Sequence, residues 1–363
     1  MEESLFIQYI QEYFPSIVLR EVNYLNDTQN ENAMRYLHRQ MLTKEFSVSG
    51  KWESITSVNS LVAADVVAMD SSLPLKKRGS YSSYTGDIPK MGMELTLNEK
   101  QLTDIQTMLA VGGQKAAVAA KIFADTPKVI AGIYERNEQI FLEALSTGSA
   151  TLTDADNVGA NITVDYGYNT DNQKGVTTVW SNATSATPWD EIEATIEQAG
   201  DEGIAIRTVL LDRTAYKNLV KADQTKELYA YNSGFVGSNI QTPSYDQFNA
   251  FAQSRFGLNF MIVDRSVRTE KNGVQTSAKP WADGRVVLLS DTNVGSLVYA
   301  RLAEQANPVA GVSYQLADQM ILVSKFRENR PSLKEFTNSQ ARCVPVISNV
   351  DQIYTIDTLT VEA

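Results

Sequence analysis

The sequence predicts a mixed α+β fold spread over more than one domain. A long stretch between Thr126 and Gly148 keeps helical period, residues 91–97 and the C-terminal segments read as strands, and between residues 188 and 290 short helices alternate with apolar strands. At about 150 residues per domain, 363 residues imply two or three domains. With 43% hydrophobic and 21% charged residues, the composition is that of a chain that folds.

Residues 1–45 read as an arm. Leu5, Phe6, Tyr9, Ile10, Tyr13 and Phe14 form a short helical stripe that Pro15 is expected to end, and a polar Asn/Gln/Asp stretch follows from Asn23 to Asn32. Residues 46–96 read as an extended loop or long hairpin. Lys76-Lys77-Arg78-Gly79 opens a Ser/Tyr/Thr/Gly stretch that closes at Pro89-Lys90, and residues 91–97 alternate as a returning strand should. Asn98 then suits an N-cap, with Leu102, Ile105 and Leu109 on one helix face and Gly112-Gly113 as a break. The strongest helix starts at Asp125-Thr126 with Pro127 in its first turn. Ile130, Ile133, Tyr134, Asn137, Phe141 and Ala144 recur at three and four residues until Gly148. Glu135, Arg136, Glu138 and Glu143 fall on other faces, so this helix is expected to cross a sheet with one side exposed.

Residues 149–187 are Thr-, Asn-, Asp- and Gly-rich with β-like pieces at 162–164 and 176–180. A helix follows from Pro188 through Ile192 and Ile196 to Gly200, then an apolar strand at 208–211, then Asp212 as the cap of a helix that turns Tyr216, Leu219 and Val220 inward. A helix around 245–256 precedes the strand ending at Asp264, and Asn272-Gly273 marks a hairpin turn. Strands at 285–290 and 296–299 are expected to complete this α/β block. The tail returns to β at 319–326, 341–347 and 352–361.

Composition excludes several chemistries. Lys plus Arg total 32 against 43 Asp plus Glu, a net charge of −11, opposite in sign to a dedicated duplex-DNA reader. Cys343 is the only cysteine, so no intramolecular disulfide forms. His38 is the only histidine, which rules out a zinc site built from several imidazoles, and with no nucleophile motif near it His38 reads as a surface or packing residue. The acidic start lacks the pattern of a secretory signal, and no apolar run reaches the roughly 18 to 20 residues of a spanning helix, so a soluble intracellular protein is expected. Val111-Gly-Gly-Gln-Lys115 lacks the remaining parts of a phosphate loop. Asp154-Ala-Asp156-Asn157-Val158-Gly159 resembles a calcium loop, but Val158 stands where an oxygen ligand is required. No GxSxG, HExxH or CxxC occurs, so no catalytic, cofactor-binding or metal-binding residue is assigned. A glycosidase-type carboxylate pair stays open, because its members can come from anywhere in a fold.

The succession of parts resembles the major capsid proteins of tailed phages, most closely the lambda-like major capsid (head) protein family. The resemblance spans roughly residues 20–355. It is carried by the arm, the loop with Lys76-Lys-Arg-Gly79, Tyr84-Thr-Gly86 and Pro89-Lys90, the long helix ending in Arg136-Asn-Glu-Gln-Ile-Phe-Leu-Glu-Ala-Leu145, and the Thr/Asp-rich segment down to Trp180. The helix from Trp189, Val209-Leu-Leu-Asp212, Phe260-Met-Ile-Val-Asp264 and Pro280-Trp281 before Val286-Val-Leu-Leu289 continue the order.

The resemblance implies the Hong Kong 97 type capsid fold. Its parts would be an N-terminal arm (1–45), an extended loop (46–96), a peripheral domain with a long spine helix and β-sheet (97–185 and 312–363), and an axial α/β domain (186–311). It implies a structural protein without catalysis or cofactor, assembled in the host cytoplasm into hexamers and pentamers of a Caudoviricetes icosahedral head around double-stranded DNA. Portal, scaffold and decoration proteins are the expected partners, DNA is touched non-specifically, and no membrane is involved. A long polar loop and an arm without a core of its own would bury themselves against neighbouring copies. The residues expected at such contacts are Lys76, Lys77, Arg78, Tyr81 and Tyr84 in the loop and Phe6, Tyr9 and Tyr13 in the arm. Three other readings stay open: a cytosolic α/β hydrolase using a carboxylate pair within 186–311, an encapsulin-like compartment of the same fold, and a tail-tube subunit.

Overall fold

The computed structural model describes residues 1–27, 36–57, 66, 69, 81–153, 162–234 and 242–362. The chain opens with α1 (Ile7–Asn26) and a short α2 (Leu37–Met41), which runs straight into β1 (Leu42–Phe46). β2 (Lys51–Ser57) and β3 (Tyr81–Asp87) pair as a two-stranded sheet, and β4 (Lys90–Leu97) follows. Next come α3 (Glu99–Ala110), α4 (Lys115–Ile122) and α5 (Thr126–Thr147), then β5 (Ser149–Leu152) antiparallel to β6 (Ile162–Asp165), and β7 (Gln173–Val176). Helices α6 (Pro188–Asp201), α7 (Arg213–Lys221), α8 (Asp223–Asn232) and α9 (Tyr245–Phe256) alternate with β8 (Thr208–Leu211) and β9 (Asn259–Ile262). The hairpin β10 (Val267–Lys271) and β11 (Val274–Ala278) precedes β12 (Arg285–Leu289) and β13 (Gly295–Ala300). A single-turn α10 (Ala303–Ala306) leads to β14 (Ser313–Ala317), β15 (Ile321–Glu328), β16 (Lys334–Ile347) and β17 (Ile353–Val361).

These elements form two compact units. The first comprises Met1–Trp52, Thr85–Phe141 and Ser296–Val346, and its sheet has the order β1-β13-β16-β15-β14, with β4 also on β16. Strand β4 runs antiparallel to β16, Met91 opposite Ala341 and Leu97 opposite Glu335. It is therefore not the returning strand of the loop hairpin, as the alternation at 91–97 suggested. That role falls to β3, because Pro89 has no amide hydrogen to continue a ladder. Ile88 is buried there, its N–H donating to Gly50 O (3.1 Å).

Helix α1 continues through Pro15 to Asn26 instead of ending at the proline. Its buried residues Ile10, Phe14, Val18 and Leu25 extend one apolar stripe past Pro15. Burying Val18 and Leu25 offsets the cost of an interior proline, about 3 kcal/mol. Helix α5 also departs from expectation. Of the side chains expected to face away, Glu138 is fully buried, and Asn137 and Gln139 are buried beside it. Polar partners explain this: Asn137 Nδ2 donates to Cys343 Sγ (3.4 Å), and Ser339 Oγ donates to the Val129 carbonyl (2.7 Å).

The second unit comprises Glu53–Tyr84, Leu142–Gly295 and Ile347–Ala363. Its sheet, β7-β17-β12-β8-β9, is mixed, with β17 parallel to β7, β8 parallel to β9, and β12 antiparallel to both neighbours. All four residues of β8 are buried, as a central strand covered on both faces requires. Asp212 caps α7 as the sequence predicts, accepting from Thr214 N (2.9 Å) and Ala215 N (3.3 Å). The core gathers Trp180, Trp189, Phe248, Phe251, Phe260, Leu211, Val286, Leu288 and Tyr354. Trp189 stacks on Phe256 with centroids 4.3 Å apart, and its Nε1 donates to Thr225 Oγ1 (3.0 Å).

Several strands fall in the other unit from the one their sequence neighbours suggested, β5, β6 and β7 of the 97–185 stretch among them, since they lie in the second unit. β13 joins the sheet of the first unit, and β17 inserts between β7 and β12 in the second. Both pair with strands remote in sequence, and short apolar runs carry no record of such partners.

Candidate functional site

The arm is tied to its own unit. Phe6 is 4% exposed, and Phe14 stacks on Phe123 with centroids 6.0 Å apart. Ahead of the helix, Glu2 and Arg327 exchange two backbone hydrogen bonds (2.9 and 3.0 Å), and the Arg327 guanidinium lies 3.1 Å from the Glu2 carboxylate. Asn329 Nδ2 donates to Glu2 Oε2 (2.6 Å), and Leu5 N–H donates to Glu335 Oε1 (2.6 Å). An arm without its own core is thus not what residues 1–26 form. Phe6 is spent inside the chain, while Tyr9 and Tyr13, stacked 6.0 Å apart, are half-buried on α1.

Of the loop residues, Lys76, Lys77 and Arg78 lie outside the described residues, as does the calcium-like stretch at 154–159. Tyr81 opens β3. Tyr84 is partly exposed and covers Gly167, where a Cβ would sit 2.1 Å from its ring; the left-handed φ of +65° there also favours glycine. Gly86 is needed for a similar reason, since a Cβ would meet the indole nitrogen of buried Trp52 at 2.7 Å.

Two buried polar pairs mark the first unit. His38 and Glu138 are both 0% exposed, with Nδ1 2.6 Å from Oε2, and Glu138 also accepts from the backbone N–H of Leu37 (2.9 Å) and of His38 (3.1 Å). His38 is therefore the packing residue that its solitary position suggested, flanked by the rings of Tyr36 and Tyr134. Tyr134 in turn donates to Asp318, which also pairs with Lys44.

The second is Lys325 and Glu335, buried residues that feel each other's charge while each bonds to other groups. Lys325 Nζ donates to Thr337 Oγ1 (2.6 Å) and to Ile122 O (3.0 Å) and lies 5.2 Å from the centroid of Phe123. Burial pulls its amine down to about 8, against a smaller upward pull from Glu335, and burial pushes the Glu335 carboxyl up. These groups are locked in structural hydrogen bonds. Among the described residues no group of three or more His, Cys, Asp or Glu stands close enough to hold a metal ion.

The first unit also carries an open groove of about 510 Å³ that the sequence did not signal. Phe46 from β1 and Tyr299 from β13 form its aromatic wall, centroids 5.5 Å apart, and Leu316 from β14 stands half-exposed in it. Arg301 links it to a second depression lined by Val48, Gly50 and Arg342. Its lining comes from strands about 250 residues apart, and no local pattern could have assembled it.

In the second unit, the carboxylates of Asp351 and Glu202 are close enough to interact. Burial, and then the Glu202 charge, hold the Asp351 carboxyl above its usual range, but Glu202 is engaged by the Tyr354 hydroxyl (2.8 Å) and neither groove above includes the two acids.

A family model for phage major capsid protein E matches residues 52–342. Among solved structures, the chain is similar to a protein assigned as the capsid protein of a prophage in E. coli CFT073, at 14% identity and a TM-score of 0.57, over 94% of this chain and 98% of that one. It is also similar to a phage-related protein from Bordetella bronchiseptica RB50, at 12% identity and a TM-score of 0.55, over 96% and 97%. At such identities these two likenesses concern the fold. No curated protein matches the chain.

Proposed function

We propose, since this chain belongs to the phage major capsid protein E family, that its copies assemble as hexamers and pentamers and close into an icosahedral phage head around double-stranded DNA. The carrying observation is the family match, which runs through both compact units and takes in four fifths of the chain. The role is that of a structural shell subunit. The carboxylate-hydrolase alternative finds no support: Glu202 is engaged by the Tyr354 hydroxyl, and neither Glu202 nor Asp351 lines either groove.

Several finer statements belong to the same proposal. Assembly takes place in the host cytoplasm with a separate scaffold protein, and a portal and decoration proteins join the shell. A chain of net charge −11 suits a container that touches DNA without gripping each phosphate, because a genome held by many counterion-releasing contacts would be hard to eject. Among the described residues no helix is long and apolar enough to cross a membrane.

The loop supplies the contacts between copies. Lys76, Lys77 and Arg78 pair with carboxylates of a neighbour, with Tyr81, Tyr84, Tyr9 and Tyr13 as accessory contacts. Such pairs set register more than affinity. Negative-stain electron microscopy and sedimentation of the expressed chain, alone and with a scaffold protein, test the reading. Closed shells or large rings are expected, and a monodisperse monomer or dimer under every condition would defeat it. Reversing all three loop charges should leave the monomer folded and abolish shells; normal particles from that variant would remove the cluster from assembly.

A further inference from the structure

Asn272-Gly273 is the single Asn-Gly pair in the chain, and it stands at the tip of the hairpin between β10 and β11. Lys271 pairs with Val274, so the turn consists of these two residues alone, both at left-handed φ, +53° and +78°. Two such residues in succession make a type I′ turn, which asparagine and glycine adopt most readily. Both residues are exposed. Among the hydrogen bonds of the described residues none engages the Asn272 side-chain amide or the Gly273 N–H, and a β-carbon built on Gly273 would meet nothing within 4 Å.

This placement supports a reaction of the chain on itself. The Gly273 backbone nitrogen follows directly on Asn272, and its attack on the side-chain Cγ closes a five-membered ring within one molecule, where proximity takes the place of a collision. Glycine sets no β-carbon against that approach. The closed turn holds Asn272 in one backbone conformation, so ring closure needs the turn to open. β10 and β11 form a two-stranded sheet of their own, and the first four residues of β11 are exposed. An isolated pair of strands is marginally stable, and its tip opens without unfolding the rest of the chain.

We propose that Asn272 is a site of self-modification, converted through a cyclic imide to aspartate and isoaspartate. Hydroxide takes the Gly273 amide proton, the nitrogen forms a bond to Asn272 Cγ, and the C–N bond of the side-chain amide breaks with release of ammonia. Water then adds to one of the two imide carbonyls and reopens the ring. Breaking the new bond to Cγ leaves aspartate; breaking the original peptide bond routes the chain through Cγ and leaves isoaspartate. Water is the only co-reactant, and ammonia is the only leaving group. Either product places a carboxylate beside Lys271, and isoaspartate also adds one atom to a turn whose length sets the strand register. The pairing of Thr269 with Thr276, whose hydroxyls lie 2.9 Å apart, is lost with that register.

The test is ageing of the purified full chain in heavy-oxygen water at mildly alkaline pH, followed by proteolysis and mass spectrometry. The peptide holding residue 272 should take up one heavy oxygen and react with a protein isoaspartate methyltransferase. Conversion there should be at least tenfold faster than at Asn293 and Asn329, which are also exposed but precede Val294 and Arg330. Gly273→Ala should slow it at least tenfold, since its methyl group obstructs the attacking nitrogen. Conversion at Asn272 no faster than at those two asparagines, or unchanged by Gly273→Ala, overturns the proposal. Hydrogen exchange of the aged chain reads the structural consequence: amides of β10 and β11 should lose protection in the isoaspartate form, and protection equal to that of fresh protein overturns the loss of register.

Discussion

The two compact units solve the same problem with different interiors. The core of the second unit is built from rings and branched chains, Trp189 among Phe248, Phe251, Phe256 and Phe260, and among the described residues its buried charged side chain is Asp212, a helix cap. The first unit buries charge-bearing side chains as well, His38 against Glu138 and Lys325 near Glu335. Apolar packing tolerates the loss of one contact in proportion to the area lost, whereas a buried polar pair fails steeply when one member is removed, because the other is left desolvated and unpaired.

Trp189→Ala should cost about 4 kcal/mol in urea denaturation, the amount typical of a large aromatic removed from a packed core. A cost below about 1 kcal/mol would show that the aromatic cluster is not what holds the second unit. Glu138→Ala should cost about 3 kcal/mol although it removes far less surface, since it strands the His38 ring and the backbone N–H groups of Leu37 and His38. If Glu138→Ala proved as mild as an exposed substitution, the contrast between the two interiors would collapse.

That contrast also explains what the sequence revealed. In the second unit the signals were local: Pro188 in the first turn of α6, Asp212 before α7, the apolar run of β8 and the Asn272-Gly273 turn all act within a few residues of themselves, and each feature stands where the sequence predicts it. The first unit depends on distant partners. Nothing near Glu138 announces that it will accept from residues 37 and 38, about 100 positions away, so its helix read as amphipathic when it is enclosed. The same reason hid the membership of β13 and β17, and the groove around Phe46. Pro15 misled for the opposite reason, a strong local signal overridden by an apolar stripe that continued beyond it. Among the contact residues, Phe6 carried the amphipathic signature of a residue that packs on its own chain, which a reading in terms of neighbours discounted.

Lys325 sharpens the comparison through pH. Its amine ionises near 8 in the folded chain against 10.5 as its ordinary value, so between those values the unfolded chain binds more protons and stability must rise with pH. The destabilisation by the buried ammonium is complete below pH 8 and relieved toward 10.5. Lys325→Met removes this dependence, and the stability of the wild type relative to Lys325→Met should increase by about 2 kcal/mol between pH 7 and pH 10. Cys343 and the buried tyrosines, whose acidity burial weakens, push the other way at high pH, but they are common to both chains and cancel in the difference. A difference that stays flat across this range would mean that the amine keeps its proton in the fold as readily as in water.

The mildest perturbation concerns the cap of α7. Asp212 accepts from two N–H groups of the first helical turn and from Gly284 N (3.2 Å), so Asp212→Ala leaves three donors to find other partners. Capping losses of this kind cost about 1 kcal/mol, and Asp212→Asn, which keeps an acceptor oxygen, should recover much of it. Urea denaturation of both variants separates the cap from the charge: if Asp212→Asn is as damaging as Asp212→Ala, the carboxylate's negative charge at the helix N-terminus matters more than its geometry. In either case the loss should remain well below that of Glu138→Ala. The backbone donors at Asp212 lie at a helix end that water can reach on opening, whereas those at Glu138 are closed in with a histidine ring that has no exposed surface.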